Sequence, residues 1–185
     1  MKYDKAALID NVFFQKFYEL RDFDSKLAFK EFFNQSGISP LIHPYIFEFE
    51  IIESEKKVFA NCLISDGLLG LLDWFDFIKP GEFYSKAYYS GICASYQKLF
   101  KKPLIIPAKS TIKDFHISGN SLGEVHSIFT AKILDVPLFC SNDHDSKCLA
   151  RKLSAVGKRV EVRTISEMLS RLPNFDRQAA RALQS

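Results

Sequence analysis

Three acidic residues stand where a chain could gather them around a metal ion. Asp10 ends the short apolar run Ala6–Ile9, and Asp143 follows a second run, residues 136–140, after Ser141 and Asn142. Glu124 falls in the first turn of a helical stretch, residues 121–134, that leads directly into that second run. Both apolar runs read as buried strands that deliver a carboxylate at their C-terminal ends, where open parallel sheets keep their functional crevice. Acids brought together from separate elements repel one another unless a hard cation neutralises them, and an all-oxygen ligand set favours Mg2+ or Mn2+ over zinc. Two more acids, Glu48 and Glu50, alternate with Phe47, Phe49 and Ile51. At least one of them needs a cationic or metal partner if it is buried there, and Glu50, immediately before Ile51 and Ile52, is the favoured one.

Each acid also has a plain structural reading. Asp10 is suited to cap the helix that starts near Val12, Ser121 with Glu124 spells a capping box, and Asp143 or Asp145 is placed to cap a helix from Ser146. Only the joint placement favours a metal site. Cys140, His144 and Cys148, spaced by four, invite a zinc reading, but no Cys-x-x-Cys pair or second cluster accompanies them, so zinc is disfavoured. His126, two positions past Glu124, points to a different helix face. Lys147, Arg151, Lys152, Lys158 and Arg159 form either a phosphate-binding face or a solvated surface. No Gly-rich phosphate loop, nucleophile elbow or dinucleotide fingerprint is present.

The elements that must position these residues are unevenly legible. After the first strand, Phe13, Phe14, Phe17 and Leu20 mark a helix, and a second amphipathic stretch runs from Ser25 until Gly37 stops it. Pro40 and Pro44 punctuate the chain, and residues 45–52, ambiguous between strand and helix, are read as helix. Residues 53–118 are expected to be a mainly helical, buried segment, with Tyr88, Ile92, Tyr96 and Leu99 on one core-facing stripe of a helix over 87–100. Beyond the helix over 121–134 and the strand over 136–140, the pattern predicts a helix over 146–153, a strand over 159–163 and a capping-box helix from Thr164 to near Leu172. Helices alternating with strands through short connections are how a parallel α/β sheet is written. Residues 174–185 read as a polar tail, either a loose helix or frayed.

The chain has 185 residues, 47% of them hydrophobic and 25% charged, a folding composition that suits one domain, here taken as residues 1–173, and excludes a large multidomain enzyme. Its four cysteines are not needed as cross-links at this size and are expected to be reduced. No apolar run approaches the ~18 residues of a membrane span, and the N-terminus lacks the order of a secretory signal, so a soluble cytoplasmic protein is expected. The charge of +3 is small but uneven: residues 1–100 hold 11 Lys/Arg against 14 Asp/Glu, and residues 101–185 hold 14 against 8. That asymmetry permits a polyanionic partner. The apolar surplus around Trp74 suits either a homodimer interface or an internal lid.

Gly123-Glu124 heading a helix with a small Ala131, the strand over 136–140 and then Ser141-Asn142-Asp143 before another helix resemble the C-terminal half of PIN-domain ribonucleases. Asp10 after an apolar strand looks like that family's first acid, and Glu48 or Glu50 like its second. The resemblance implies a three-layer fold with a central four- to five-stranded parallel sheet flanked by helices, and a metal-dependent endoribonuclease. Asp10, Glu124 and Asp143 would be the central ligands of Mg2+ or Mn2+, Glu50 or Glu48 would complete the cluster, and Asp145 would be an outer member. Ser141 would orient a carboxylate or a coordinated water, and Lys147, Arg151 and Lys152 would meet the RNA backbone. Family members include toxins of toxin–antitoxin pairs, which would add an antitoxin as a partner. The family commonly has Asp-Thr/Ser-Asn after the first strand; here Asn11 stands next to Asp10, and residues 53–118 diverge. These departures keep open a degenerate PIN-like module that binds RNA or protein without cleavage. A DNA-directed nuclease would share the same acids.

Overall fold

The computed structural model describes residues 3–20, 22–78, 82–106, 122–153 and 159–185. Among them, five strands form one sheet: β1 (Ala6–Ile9), β2 (Ser39–Ile42), β3 (Gly70–Leu71), β4 (Leu138–Cys140) and β5 (Glu161–Arg163). Their order is β3-β2-β1-β4-β5, with every neighbouring pair parallel. The helices are α1 (Asn11–Tyr18), α2 (Ser25–Ser36), α3 (Ser54–Ser65), α4 (Glu82–Phe100), α5 (Leu122–Leu134), α6 (His144–Leu153), α7 (Ile165–Leu169) and α8 (Arg177–Gln184).

β1 is buried along its whole length, as a central parallel strand covered on both faces must be. Side chains alternate across a strand, so Ala7 and Ile9 enter one core and Ala6 and Leu8 the other. The first core is rich in phenylalanine from α1 and α2 and is closed by residues of α3, α7 and α8. Phe17 meets Phe32 edge-on with ring centroids 5.1 Å apart. The second packs α4, α5 and α6 with Leu72, Trp74, Phe77 and Ile78. The aromatic stripe of α4 is core as expected, with Tyr88, Ile92 and Tyr96 buried and Leu99 half-buried.

Several expectations are corrected. β2 contains Pro40, which the sequence reading took as punctuation because proline donates no ladder hydrogen bond. The helix expected over 45–52 shrinks to a π-helical turn, Ile46–Glu50. The segment 53–118 contains strand β3 besides its helices. α6 begins at His144, before Ser146. The tail is neither loose nor frayed: α8 is capped by Asp176, and Ala179 and Leu183 are buried, while Phe175 packs edge-on against Phe32. Trp74, Phe77 and Ile78, whose apolar surplus suggested a dimer, are absorbed by the chain's own core, leaving Phe75 exposed. All four cysteines are free thiols. No helix among the described residues is long and apolar enough to cross a membrane.

Candidate functional site

β1 and β4 are neighbours in the sheet while β2 lies on the other side of β1, so the strand order reverses direction between β1 and β4. That is the switch point beyond which open α/β sheets hold their ligands. The register pairs Ile9 with Cys140, and the Asp10 amide donates to the Cys140 carbonyl at 3.1 Å. Asp10 and the segment 141–143 therefore leave the sheet side by side.

Asp10 is 1% exposed. Its Oδ1 accepts the Phe13 amide at 2.5 Å, so the capping role is real, yet its Oδ2 is buried without a hydrogen-bond partner. Burial pushes its carboxyl up to about 7; the Ser141 hydroxyl and the Phe13 amide pull the other way, and the charge of Asp143 pushes it further up. Ser141 Oγ accepts the Asp143 amide and the Ser146 hydroxyl, each at 3.0 Å. Its own proton is thereby left for the carboxylate side, although Ser141 stops short of closing a hydrogen bond to Oδ2.

Glu50 ends the π-helical turn and is half-buried. Burial raises its carboxyl to about 7, the charge of Asp10 adds to this, and the Gly123 amide and the Lys56 ammonium oppose it. The carboxylate lies so close over Gly123 that a Cβ there would overlap it. A glycine at the head of α5 is thus required by contact with an acid from a distant element, a role that the Gly123-Glu124 pair did not reveal in the sequence. Glu124, also half-buried, is raised to about 8 by burial; its own amide offsets this, and the charges of Glu50, Asp10 and Asp143 add to it. Asp143 is half-buried, and its Oδ1 accepts the Asp145 amide at 2.8 Å. Four carboxylates from four separate elements therefore lie within each other's electrostatic reach.

The remaining sequence candidates divide. Glu48 is exposed and its Oε1 accepts the Trp74 indole at 3.3 Å, so Glu50, not Glu48, joins the cluster. Asp145 is exposed in the first turn of α6. Asn11 has a buried Oδ1 without a partner. Asn142 accepts the Ile165 amide at 2.9 Å and ties the β4 end to α7, which the sequence reading missed. Lys147 pairs with Glu167 at 2.7 Å, and with Arg151, Arg159 and Glu161 it lines a cavity of about 270 Å3 beside β5; Lys152 is half-buried and not part of that lining. Lys158 and the capping residue Ser121 lie outside the described residues. For zinc, His144 is exposed, and burial pushes the Cys140 thiol up, away from the thiolate a metal needs.

His126 is buried, as its different helix face allowed, in a polar network that sequence spacing did not reveal. Its Nδ1 lies 2.9 Å from the Tyr88 hydroxyl, which meets Thr130 Oγ1 at 3.1 Å. His43 Nδ1 accepts the Tyr45 amide at 3.0 Å, which puts the proton on Nε2, 3.2 Å from Thr130. Burial pushes His126 down to about 3 and His43 well below its ordinary value.

As a set of hard oxygen donors with an orphaned buried oxygen at Asp10, the acids fit Mg2+ or Mn2+ by charge and chemistry. Among the described residues, however, no three His, Cys, Asp or Glu side chains are gathered tightly enough to ligate one ion. Compared with family models, with curated proteins and with solved structures, the chain matches none.

Proposed function

We propose that the chain is a PIN-like, metal-dependent endoribonuclease that hydrolyses RNA phosphodiester bonds, with Asp10, Glu50, Glu124 and Asp143 holding Mg2+ or Mn2+. The observation that carries this reading is the electrostatic coupling of four acids at the sheet's switch point, one with an unpartnered buried oxygen. When bound, such an ion supplies a Lewis acid for the phosphoryl oxygens and lowers the pKa of an attacking water. The protein's own part is positioning. The Phe13 amide fixes Asp10 Oδ1, the Gly123 amide fixes Glu50, and Ser141 is held by Asp143 and Ser146. With Oδ1 of Asp10 engaged by the Phe13 amide, Oδ2 is the oxygen it would offer to the ion. Lys147 and Arg151 supply a basic surface for the RNA backbone. Within this proposal a toxin role would add a cognate antitoxin, which an adjacent reading frame would encode.

The test is Mn2+ binding by calorimetry, with Asp10→Asn and Glu124→Gln alongside, followed by cleavage of single-stranded RNA and DNA. Binding lost in both variants, with cleavage of RNA in preference to DNA, supports the reading; no binding at millimolar metal overturns it. A second reading, a degenerate module that binds RNA without cutting it, agrees with the lack of a tightly gathered ligand trio among the described residues. Retention of RNA without cleavage or metal dependence would establish that one.

A further inference from the structure

Among the described strands, β5 is the outermost on its side of the sheet. The Glu161 amide donates to the Pro137 carbonyl at 2.9 Å and the Arg163 carbonyl accepts the Ser141 amide at 3.0 Å, so these two residues turn their backbone groups towards β4. Backbone groups alternate between the two sides of a strand, which points the Val162 N–H and C=O to the outer edge. Among the described residues neither has a hydrogen-bond partner. Such an edge is a template for another strand, and this one opens into the cavity of about 270 Å3 between α6, β5 and α7. The charges around that cavity are unevenly matched. Glu167 pairs with Lys147 at 2.7 Å, and Glu161 with Arg163 at 2.7 Å and Arg171 at 3.9 Å. Arg151 and Arg159, both exposed in the lining, have no ion pair among the described residues.

We propose that the β5 edge docks an acidic, extended segment of a partner protein, which adds to the sheet beside β5 as a further strand. Main-chain bonds to Val162 would set its register, and Arg151 and Arg159 would pair with its carboxylates. The same cations repel the equally basic edge of a second copy, so the occupant is not this chain. A phosphate backbone is the poorer match, because it has no N–H to give the Val162 carbonyl and would meet Glu161 and Glu167. The edge is short, the Thr164 amide being taken by Glu167 at 2.8 Å, so binding depends strongly on charge. The site lies apart from the acid cluster and does not rest on the metal reading. It shares Lys147 and Arg151 with the surface proposed for RNA, and a seated strand excludes RNA from them.

The experiment is fluorescence anisotropy on the full chain with an end-blocked, fluorescein-labelled peptide of alternating glutamate and valine, with circular dichroism to verify the folding of each variant. Wild type should bind this peptide and not its lysine–valine counterpart. Arg151→Glu combined with Arg159→Glu should weaken binding by roughly tenfold or more. Val162→Pro, which removes the outward amide without touching the β4 ladder, should weaken it by about fivefold. A fully N-methylated peptide keeps the charges but cannot donate to the Val162 carbonyl and should lose as much, which covers the case in which Val162→Pro does not fold. Equal binding of the methylated peptide, or undiminished binding to the charge-reversed variant, overturns the proposal. Binding of a uridine homopolymer RNA without binding of the peptide overturns it while leaving the RNA reading standing. Binding of the peptide with neither RNA nor Mn2+ sustains the docking edge while the nuclease reading falls.

Discussion

The two oxygens of Asp10 have different surroundings, so its capping role and the proposed metal role need not compete. Oδ1 completes the first turn of α1, a task asparagine performs equally well, while Oδ2 is a buried charge without a partner. Asp10→Asn should therefore stabilise the metal-free protein at pH 8, by on the order of 4 kcal/mol given a carboxyl raised to about 7. It should also abolish stabilisation by Mn2+. Urea unfolding with and without metal checks both, and a destabilised metal-free variant would contradict the account. Gly123 makes the complementary case. Because a Cβ there overlaps the Glu50 carboxyl, Gly123→Ala should weaken Mn2+ binding by roughly tenfold or more, as changes just outside a ligand set do. Calorimetry on that variant reads the effect directly.

Among the elements, the π-helical turn and α5 face each other across a network that braces both. Tyr88 of α4 bonds His126 and Thr130 of α5, and His43 leads into the turn that carries Glu50. Tyr88→Phe removes a buried hydroxyl and leaves its polar neighbours unsatisfied, at a cost of ~1–3 kcal/mol. If the network braces the site, the same variant also lowers Mn2+ affinity; a stability loss with unchanged metal binding would confine Tyr88 to the core. These tertiary links were the least legible part of the chain. β3 is two residues long, too short for any alternation to register, and Pro40 disguised β2. Of the three strands that the sequence did reveal, β1, β4 and β5, the first two flank the site.

The charge balance of the whole molecule predicts its response to pH. Asp10, Glu50 and Glu124 are raised in the folded state above their ordinary values, so the folded chain holds more protons than the unfolded one and gains stability as pH falls from about 8 towards about 5. His43 and His126 are lowered, so the folded chain holds fewer protons below about 6.5 and loses stability on further acidification. The metal-free protein should thus be most stable between roughly pH 5 and 7. If these acids hold an ion as proposed, protons compete with it for the same oxygens, and Mg2+ or Mn2+ should raise the melting temperature more at pH 8 than at pH 5.5. An equal rise at both would argue against these acids as ligands. The parallel α/β architecture, the strand-end position of Asp10 and the acid types needed for a hard cation were determined by the sequence itself, because strand periodicity, caps and side-chain chemistry act between near neighbours. Which glutamate joins the cluster and why Gly123 must lack a side chain were decided only by tertiary structure. Burial and charge coupling arise between elements far apart in the chain, and no local spacing records which of them will meet.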